Sequence, residues 1–384
     1  MHTTKKAADI RPSIIHFTTV HPRSDTRVRL KEVTTLARLW PNQVALFVQD
    51  GKGNEVDVGS GFSVQDTGAP ERGRLRRMTV GAWRMYYAIR AARPKIAHFH
   101  DPELLPWATL LRFSGIKVIY DAHEDLPAAT LSKPYIKSAL RKPLAAVVSF
   151  FEGFFAKRCT RVVVATQSIG QNFSTLNPQL VQNFPLLAEL QSDQVAHNGE
   201  VPLHFAYVGG ITRIRAALEM VEAIGLVADQ TVRLQMAGTF TGNLGRELEQ
   251  TQGWNRVDLH GWADRTKVST ILAGCRAGLV LYYPEPNHIR AQPNKLFEYM
   301  SASVPVLASD FPLWREIVDG AGCGLLVDPK DPQAIADAMQ WIIDHPAEAA
   351  EMGRRGRKAI EQRYNWEAES ESLIALYRNL LPAT

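Results

Sequence analysis

The residues best spaced for chemistry lie in Gln292-Pro293-Asn294-Lys295-Leu296-Phe297-Glu298-Tyr299-Met300, followed by Val304-Pro305-Val306-Leu307-Ala308-Ser309-Asp310. This reads as a helix started by Pro293, with Lys295 in its first turn and Glu298 one turn later, leading into a short buried strand. A helix start offers free N–H groups and partial positive charge, which suit a phosphate, and Lys295 adds a full charge there. Glu298 falls on the same face, where a carboxylate accepts hydrogen bonds from a sugar diol. The chemistry implied is half of a nucleotide-sugar site.

The elements that must position these groups alternate along almost the whole chain. Strand candidates in the first half are Ile14–Val20, Val44–Gln49, Ile96–His100, Val118–Ala122, Val162–Thr166 and Leu180–Asn183. Amphipathic patterns at Arg27–Leu39, Val80–Ala92 and Leu140–Lys157 separate them. A polar stretch, Ala188–Val201, interrupts the pattern and reads as a linker. Strands resume at Leu203–Val208, Val232–Ala237, Val257–Leu259, Gly278–Tyr282, Val304–Ser309 and Gly324–Val327. Apolar strands separated by helices imply parallel sheets covered on both faces. The division expected is residues 1–187, a linker at 188–201, residues 202–364, and a final helix at 365–384 that packs back on the first domain. Ligands of such sheets bind at the carboxyl ends of the strands, so two facing units would enclose a cleft.

Composition narrows the classes. The chain is 45% hydrophobic and 22% charged, ordinary for a soluble enzyme, and 384 residues suit two domains. Its apolar runs are too short to span a bilayer. Met1–Pro12 lacks an apolar signal core. Three scattered cysteines favour a reduced, cytoplasmic protein with no disulfide framework and no metal site. Residues 1–185 hold 26 Lys+Arg against 14 Asp+Glu and the remainder 18 against 25, so the first half is the basic one. That asymmetry points to an anionic partner, or to unspecialised surface charge. No nucleic-acid-binding motif accompanies it, and no G-x-G-x-x-G follows the first strand, which counts against a dinucleotide cofactor.

Several segments together resemble the retaining family-4 glycosyltransferases. They are Tyr207-Val208-Gly209-Gly210-Ile211-Thr212-Arg213-Ile214-Arg215 with Leu218–Ile224, the Pro293–Asp310 region, Gly322–Pro329 with Tyr364-Asn365-Trp366, His98-Phe99-His100-Asp101-Pro102-Glu103, and Tyr120-Asp121-Ala122-His123-Glu124-Asp125. The resemblance implies an α/β GT-B fold of two doubly wound Rossmann-like domains facing a central cleft. It implies transfer of a sugar from a nucleotide sugar, with retention and without a metal. Gly209 and Gly210 would let the backbone approach the diphosphate, and Lys295 with Arg215 or Arg213 would clamp it. Fixed cations of this kind stabilise the charge that develops on the leaving diphosphate. Glu298 and Trp262 would hold the nucleoside, although Trp262 equally suits a core position. His123 and Asp101, with Glu298, are the catalytic candidates; His100, Asp25, Arg27, Arg290 and Asn294 are candidates for the donor sugar or acceptor. Asp25 equally suits a helix N-cap. Arg290 stands where many relatives carry a glutamate, which leaves room for an inactive scaffold or binding subunit; a nucleotide-sugar epimerase of the same fold is the other alternative.

Leu140, Leu144, Val147, Val148, Phe151, Phe154 and Phe155 form one apolar helical stripe, flanked by Lys133, Lys137, Arg141, Lys142, Lys157 and Arg158. It reads either as a peripheral helix on anionic lipid or as a helix covering the sheet. Set beside the resemblance, it suggests a transferase peripherally bound to the inner face of the membrane, serving bacterial polysaccharide assembly on a lipid-linked acceptor.

Overall fold

The computed structural model describes residues 11–188 and 202–381, apart from 58, 134, 135 and 241. The start of the chain and most of the segment read as a linker lie outside the described residues. The chain divides into two compact units. One runs through Asn183 and takes in Glu369 onward; the other is Phe184–Ala368.

The first unit holds an eight-stranded sheet: β1 (Ile14–Phe17), β2 (Val44–Val48), β3 (Glu55–Asp57), β4 (Phe62–Asp66), β5 (Ile96–Phe99), β6 (Lys117–Ala122), β7 (Arg161–Val164) and β8 (Gln179–Leu180). The order is β3-β4-β2-β1-β5-β6-β7-β8, all parallel except the β3–β4 pair. The second unit holds six parallel strands: β9 (His204–Val208), β10 (Arg233–Ala237), β11 (Val257–Gly261), β12 (Ala277–Val280), β13 (Val306–Ser309) and β14 (Gly324–Val327). Their order is β11-β10-β9-β12-β13-β14. In both units the order reverses beside the first strand, the switch point where doubly wound sheets open a binding crevice.

Three helices matter below: α1 (Ser138–Ala156), α2 (Asn294–Ser301) and α3 (Trp366–Leu380). The second sheet has a separate apolar core on each face, for example Leu296, Tyr299 and Trp314 on one and Tyr207, Met220 and Leu234 on the other. The first sheet differs. Ile15, Phe17, Ala97, Phe99, Val118 and Tyr120 face one apolar core. Strand residues alternate between faces, so the intervening His16 and His98, paired in register across β1 and β5, turn to the opposite face. There α3 covers them through Tyr377.

Candidate functional site

In the second unit the site grows from the end of β9. The Val208 N–H donates to Tyr299 Oη at 3.0 Å, which ties α2 to the turn at Gly209. Tyr299 reaches there because Gly278 is bare: a Cβ on it would lie 2.3 Å from the Tyr299 ring. Gly209 takes φ +121°, a conformation that side-chain-bearing residues rarely adopt. A Cβ at Gly209 would come 2.6 Å from Lys295 Cε, and one at Gly210 would come 3.1 Å from Arg215 Nη1. Both glycines therefore make room for a cation.

The two cations are held without a carboxylate. Lys295 Nζ sits 3.8 Å from the centre of the Tyr207 ring, and Arg215 Cζ lies 5.4 Å over Tyr282. Arg215 donates to the Gly210 carbonyl at 3.1 Å. Lys295 is 8% exposed, and its ammonium has no hydrogen-bond partner. Burial first, and the neighbouring Arg215 second, hold its pKa well below the usual lysine value. An ammonium so placed is costly until an anion arrives.

The remaining second-unit candidates are dispersed. Arg213 pairs with Glu247 at the exposed surface, because the tight turn 213–215 and the left-handed Ala216 (φ +51°) send the two arginines apart. Glu298 accepts from Arg265 Nη1 at 3.2 Å. Trp262 is 78% exposed after β11, which removes the core alternative. Asn294 opens α2 at the surface, and Arg290 is exposed behind the short helix Pro286–Ile289.

In the first unit the candidates converge, but inward. Arg27 grips Asp121 with two bonds, of 3.0 and 2.8 Å, and donates to the Val181 carbonyl. Asp121 Oδ2 also meets His123 Nε2 at 2.6 Å and His100 Nδ1 at 3.2 Å. Burial alone would raise the Asp121 pKa; Arg27, then His123, outweigh it and hold it well below the usual range. Burial pushes His100 down to about 4. Asp101 is buried, accepting from Thr18 Oγ1 and from the Thr19 N–H, so it fixes the loop after β1. Asp25 caps the following helical turn through the Val28 N–H and pairs with His21 at 3.0 Å. Burial would raise Asp25, but those two contacts hold it at about 2. Arg27 and His100 thus spend their polar atoms on Asp121 and its neighbours, and Asp101 on Thr18 and Thr19. His123, with 15% of its side chain exposed, is the partner of Asp121 that opens outward, as Asp25 and His21 do at the neighbouring loop. Its Nε2 meets Asp121 Oδ2, Arg27 Nε and His100 Nδ1, at 2.6, 3.2 and 3.3 Å, and its Nδ1 takes no part in these contacts.

Sequence reasoning passed over Asp121, Glu32, His16, His98, Tyr207 and Tyr282. The i, i+2 pairs His98/His100 and Asp121/His123 carried a usable signal, since such pairs share a strand face.

A different surface belongs to α1. Leu140, Leu144, Val147, Phe150, Phe151 and Phe154 are all exposed, while Ala145, Glu152 and Ala156 are buried. Glu152 accepts a 2.8 Å hydrogen bond from Tyr120 Oη, and burial raises its pKa to about 7. Most of the expected stripe therefore faces away from the sheet, but Val148 is half-buried and Phe155 packs, partly buried, against the core of the first unit. No described helix is long and apolar enough to cross a membrane.

Two parallel doubly wound units, with a paired lysine and arginine over a glycine turn, define a GT-B protein of glycosyltransferase type. Family models match accordingly: residues 32–180 fit "Glycosyltransferase Family 4" and 202–345 fit "Glycosyl transferases group 1". The chain belongs to the family-4 glycosyltransferases of GT-B fold. It is 32% identical over 123 residues to the human alpha-1,3/1,6-mannosyltransferase ALG2, which covers 32% of this chain and 28% of that protein. It is 31% identical over 80 residues to the D-rhamnosyltransferase WbpZ of Pseudomonas aeruginosa, covering 20% of this chain and 21% of that one. Among solved structures, the sucrose-phosphate synthase of Thermosynechococcus elongatus superposes at TM-score 0.77 and 19% identity, over 97% of this chain and 100% of that one. Anabaena HepE, in complex with UDP and glucose, superposes at 0.71 and 13%, over 95% and 99%.

Proposed function

We propose that this protein is a retaining glycosyltransferase that moves a sugar from a nucleotide sugar to a lipid-linked glycan acceptor in bacterial polysaccharide assembly. The observation that carries the reading is the buried, unpartnered Lys295 ammonium beside Arg215, both lying against the glycine turn at 209–210. An anion is what this turn lacks, and the nucleotide-bound HepE makes a nucleoside diphosphate the natural candidate. When the bond between the sugar's C1 and the diphosphate oxygen breaks, negative charge grows on that oxygen. Lys295 and Arg215 stabilise it without reorganising. Fixed cations take the place of a divalent ion at the diphosphate, so chelators leave this step unaffected. Glu298 and Trp262 serve the nucleoside, and His123 serves the sugar or acceptor through its free nitrogen. Retention follows from the family pattern, with the leaving phosphate taking the acceptor's proton.

The exposed face of α1, with its basic flanks, would seat the first unit on anionic lipid, where a lipid-linked acceptor is found. The deciding experiment is thermal stabilisation by UDP-, GDP- and dTDP-sugars, compared between the native protein and Lys295→Met. At least one nucleotide sugar raises the melting temperature of the native protein and leaves the variant unmoved. A native protein that none of them stabilises would overturn the reading.

A further inference from the structure

The geometry points to a divalent transition-metal site of zinc type inside the first unit, with His16, His98, His100 and Glu32 as its ligands. These residues come from β1, β5, the turn after β5 and the helical segment Thr26–Val33. All four are buried, at 2% exposure or less. No spacing motif joins them, which is why the sequence reading expected no metal.

Three observations carry the inference. The first is donor placement. His16 Nδ1 lies 3.0 Å from His100 Nε2 and 3.6 Å from Glu32 Oε2. Tetrahedral ligands at zinc bond lengths of about 2.0–2.1 Å sit about 3.4 Å apart, so these separations bracket what an ion requires. One donor atom from each of Glu32, His98, His100 and Asp121 also falls within 4.8 Å of the others.

The second is the outer contacts of the rings. A metal-ligating histidine gives its other N–H to an oxygen, which fixes ring and tautomer. Here His16 Nε2 and His98 Nδ1 both meet Tyr377 Oη, at 2.9 and 2.8 Å. His100 Nδ1 meets Asp121 Oδ2 at 3.2 Å. Each ring thus has an oxygen behind it; His98 Nε2 is left bare, and His16 Nδ1 and His100 Nε2, which share a hydrogen bond with each other at 3.0 Å, are the nitrogens that an ion would take instead.

The third is what remains unmet. His98 Nε2 and both Glu32 oxygens accept no hydrogen bond, although Arg27 Nε lies 3.1 Å from Glu32 Oε1. Buried acceptors left bare forgo the water contacts they have in the unfolded chain, a cost that a bound cation removes. A divalent ion would satisfy these bare acceptors at once. Arg27 then balances Asp121 alone, and the ion ties β1, β5 and the segment Thr26–Val33 together.

The site lies wholly in the first unit, separate from the residues assigned to the diphosphate, so it stands or falls independently of the proposed transfer. The test is elemental analysis of tag-free protein, native and in the variants His98→Ala and Glu32→Gln. It is paired with cobalt(II) added after stripping with a chelator. Native protein is expected to hold about one equivalent of metal per chain, to lose thermal stability on stripping, and to show the visible d–d bands of tetrahedral cobalt. The variants hold at most about a tenth as much metal, by loss of a ligand. Should both variants fail to fold, the native metal content and cobalt spectrum still decide. Native protein without bound metal that yields no cobalt spectrum overturns the proposal, as does full metal content in a folded His98→Ala protein.

Discussion

Replacing Lys295 with methionine separates the cost of holding a bare ammonium from the benefit of binding with it. Methionine keeps most of the aliphatic stem, while the charge that sits over Tyr207 disappears. In the unliganded protein that charge is buried, unpaired and beside Arg215. Removing an uncompensated buried charge of this kind is worth on the order of 1–3 kcal/mol. For a unit the size of Phe184–Ala368, this raises the melting temperature by roughly 3–10 °C. The same substitution removes one charge-assisted contact to a bound diphosphate, worth about 1.5–3 kcal/mol, or roughly a 10- to 150-fold loss of affinity. The variant is therefore more stable and binds worse.

The pH dependence sharpens the test. Lys295 has a folded pKa below its unfolded value of 10.5, so the unfolded chain binds more protons between those two values. Stability of the free protein rises with pH across that window. The advantage of Lys295→Met is then greatest below the folded pKa and fades as pH approaches the unfolded one. A bound diphosphate favours the charged form, so binding above the folded pKa takes up a proton. Calorimetric titration of UDP and GDP in two buffers of different ionisation enthalpy measures that uptake directly. A variant that melts lower than the native protein and binds nucleotide equally well would refute the reasoning.

Arg215→Ala is expected to weaken nucleoside diphosphate binding by about 10- to 100-fold. Arg213→Ala, which breaks only an exposed pair with Glu247, stays within about twofold in the same titration. Glu152, raised from 4.5 to about 7 by burial, contributes stability that is full below pH 4.5 and lost as pH rises through about 7. Glu152→Gln is therefore expected to flatten that slope and to gain on the order of 3 kcal/mol above it, read by chemical denaturation across pH; an unchanged slope would contradict the buried environment. Arg27→Met strands Asp121 and costs about 3–5 kcal/mol in the same assay. Serine at Phe150, Phe151 and Phe154 is expected to abolish co-sedimentation with anionic vesicles while leaving nucleotide binding intact; vesicle binding equal to the native protein would remove the lipid role of α1.

What the sequence made legible follows from the range of the interactions involved. The β7 residues Val162, Val163 and Val164 and their counterparts in β2 and β12 are continuous apolar runs, so the parallel sheets could be read locally. The Pro293 start and the Lys295/Glu298 spacing likewise lie within one turn. The β3–β4 pair escaped notice because Glu-Val-Asp carries no apolar pattern. The choice between Arg213 and Arg215 depended on the left-handed backbone at Ala216, which neighbouring residue types do not announce. Most hidden was the polar cluster of the first unit, since Tyr377 meets His16 across 361 residues. An isolated histidine in an apolar strand reads as core until the helix that covers it is in place.

The stripe on α1 shows why pattern alone left two readings open. A helix that buries its apolar stripe and one that exposes it have the same periodicity. Here the choice turns on the opposite face. Ala145 and Ala156 are small enough for close approach to the rest of the unit, and Glu152 finds Tyr120 for its carboxyl. The large side chains are left outside, where each forgoes about 1.5–3 kcal/mol of burial. A contiguous patch on that scale calls for a partner. A second copy packed on the same face would bring like charges together at Lys137, Arg141, Lys142, Lys157 and Arg158, which repel. An anionic bilayer meets both demands, taking the phenylalanines into its interface and each nearby cation for about 1 kcal/mol at its surface. The charge of the first half and the outward face of α1 therefore favour the proposed anionic lipid over a second copy of the chain.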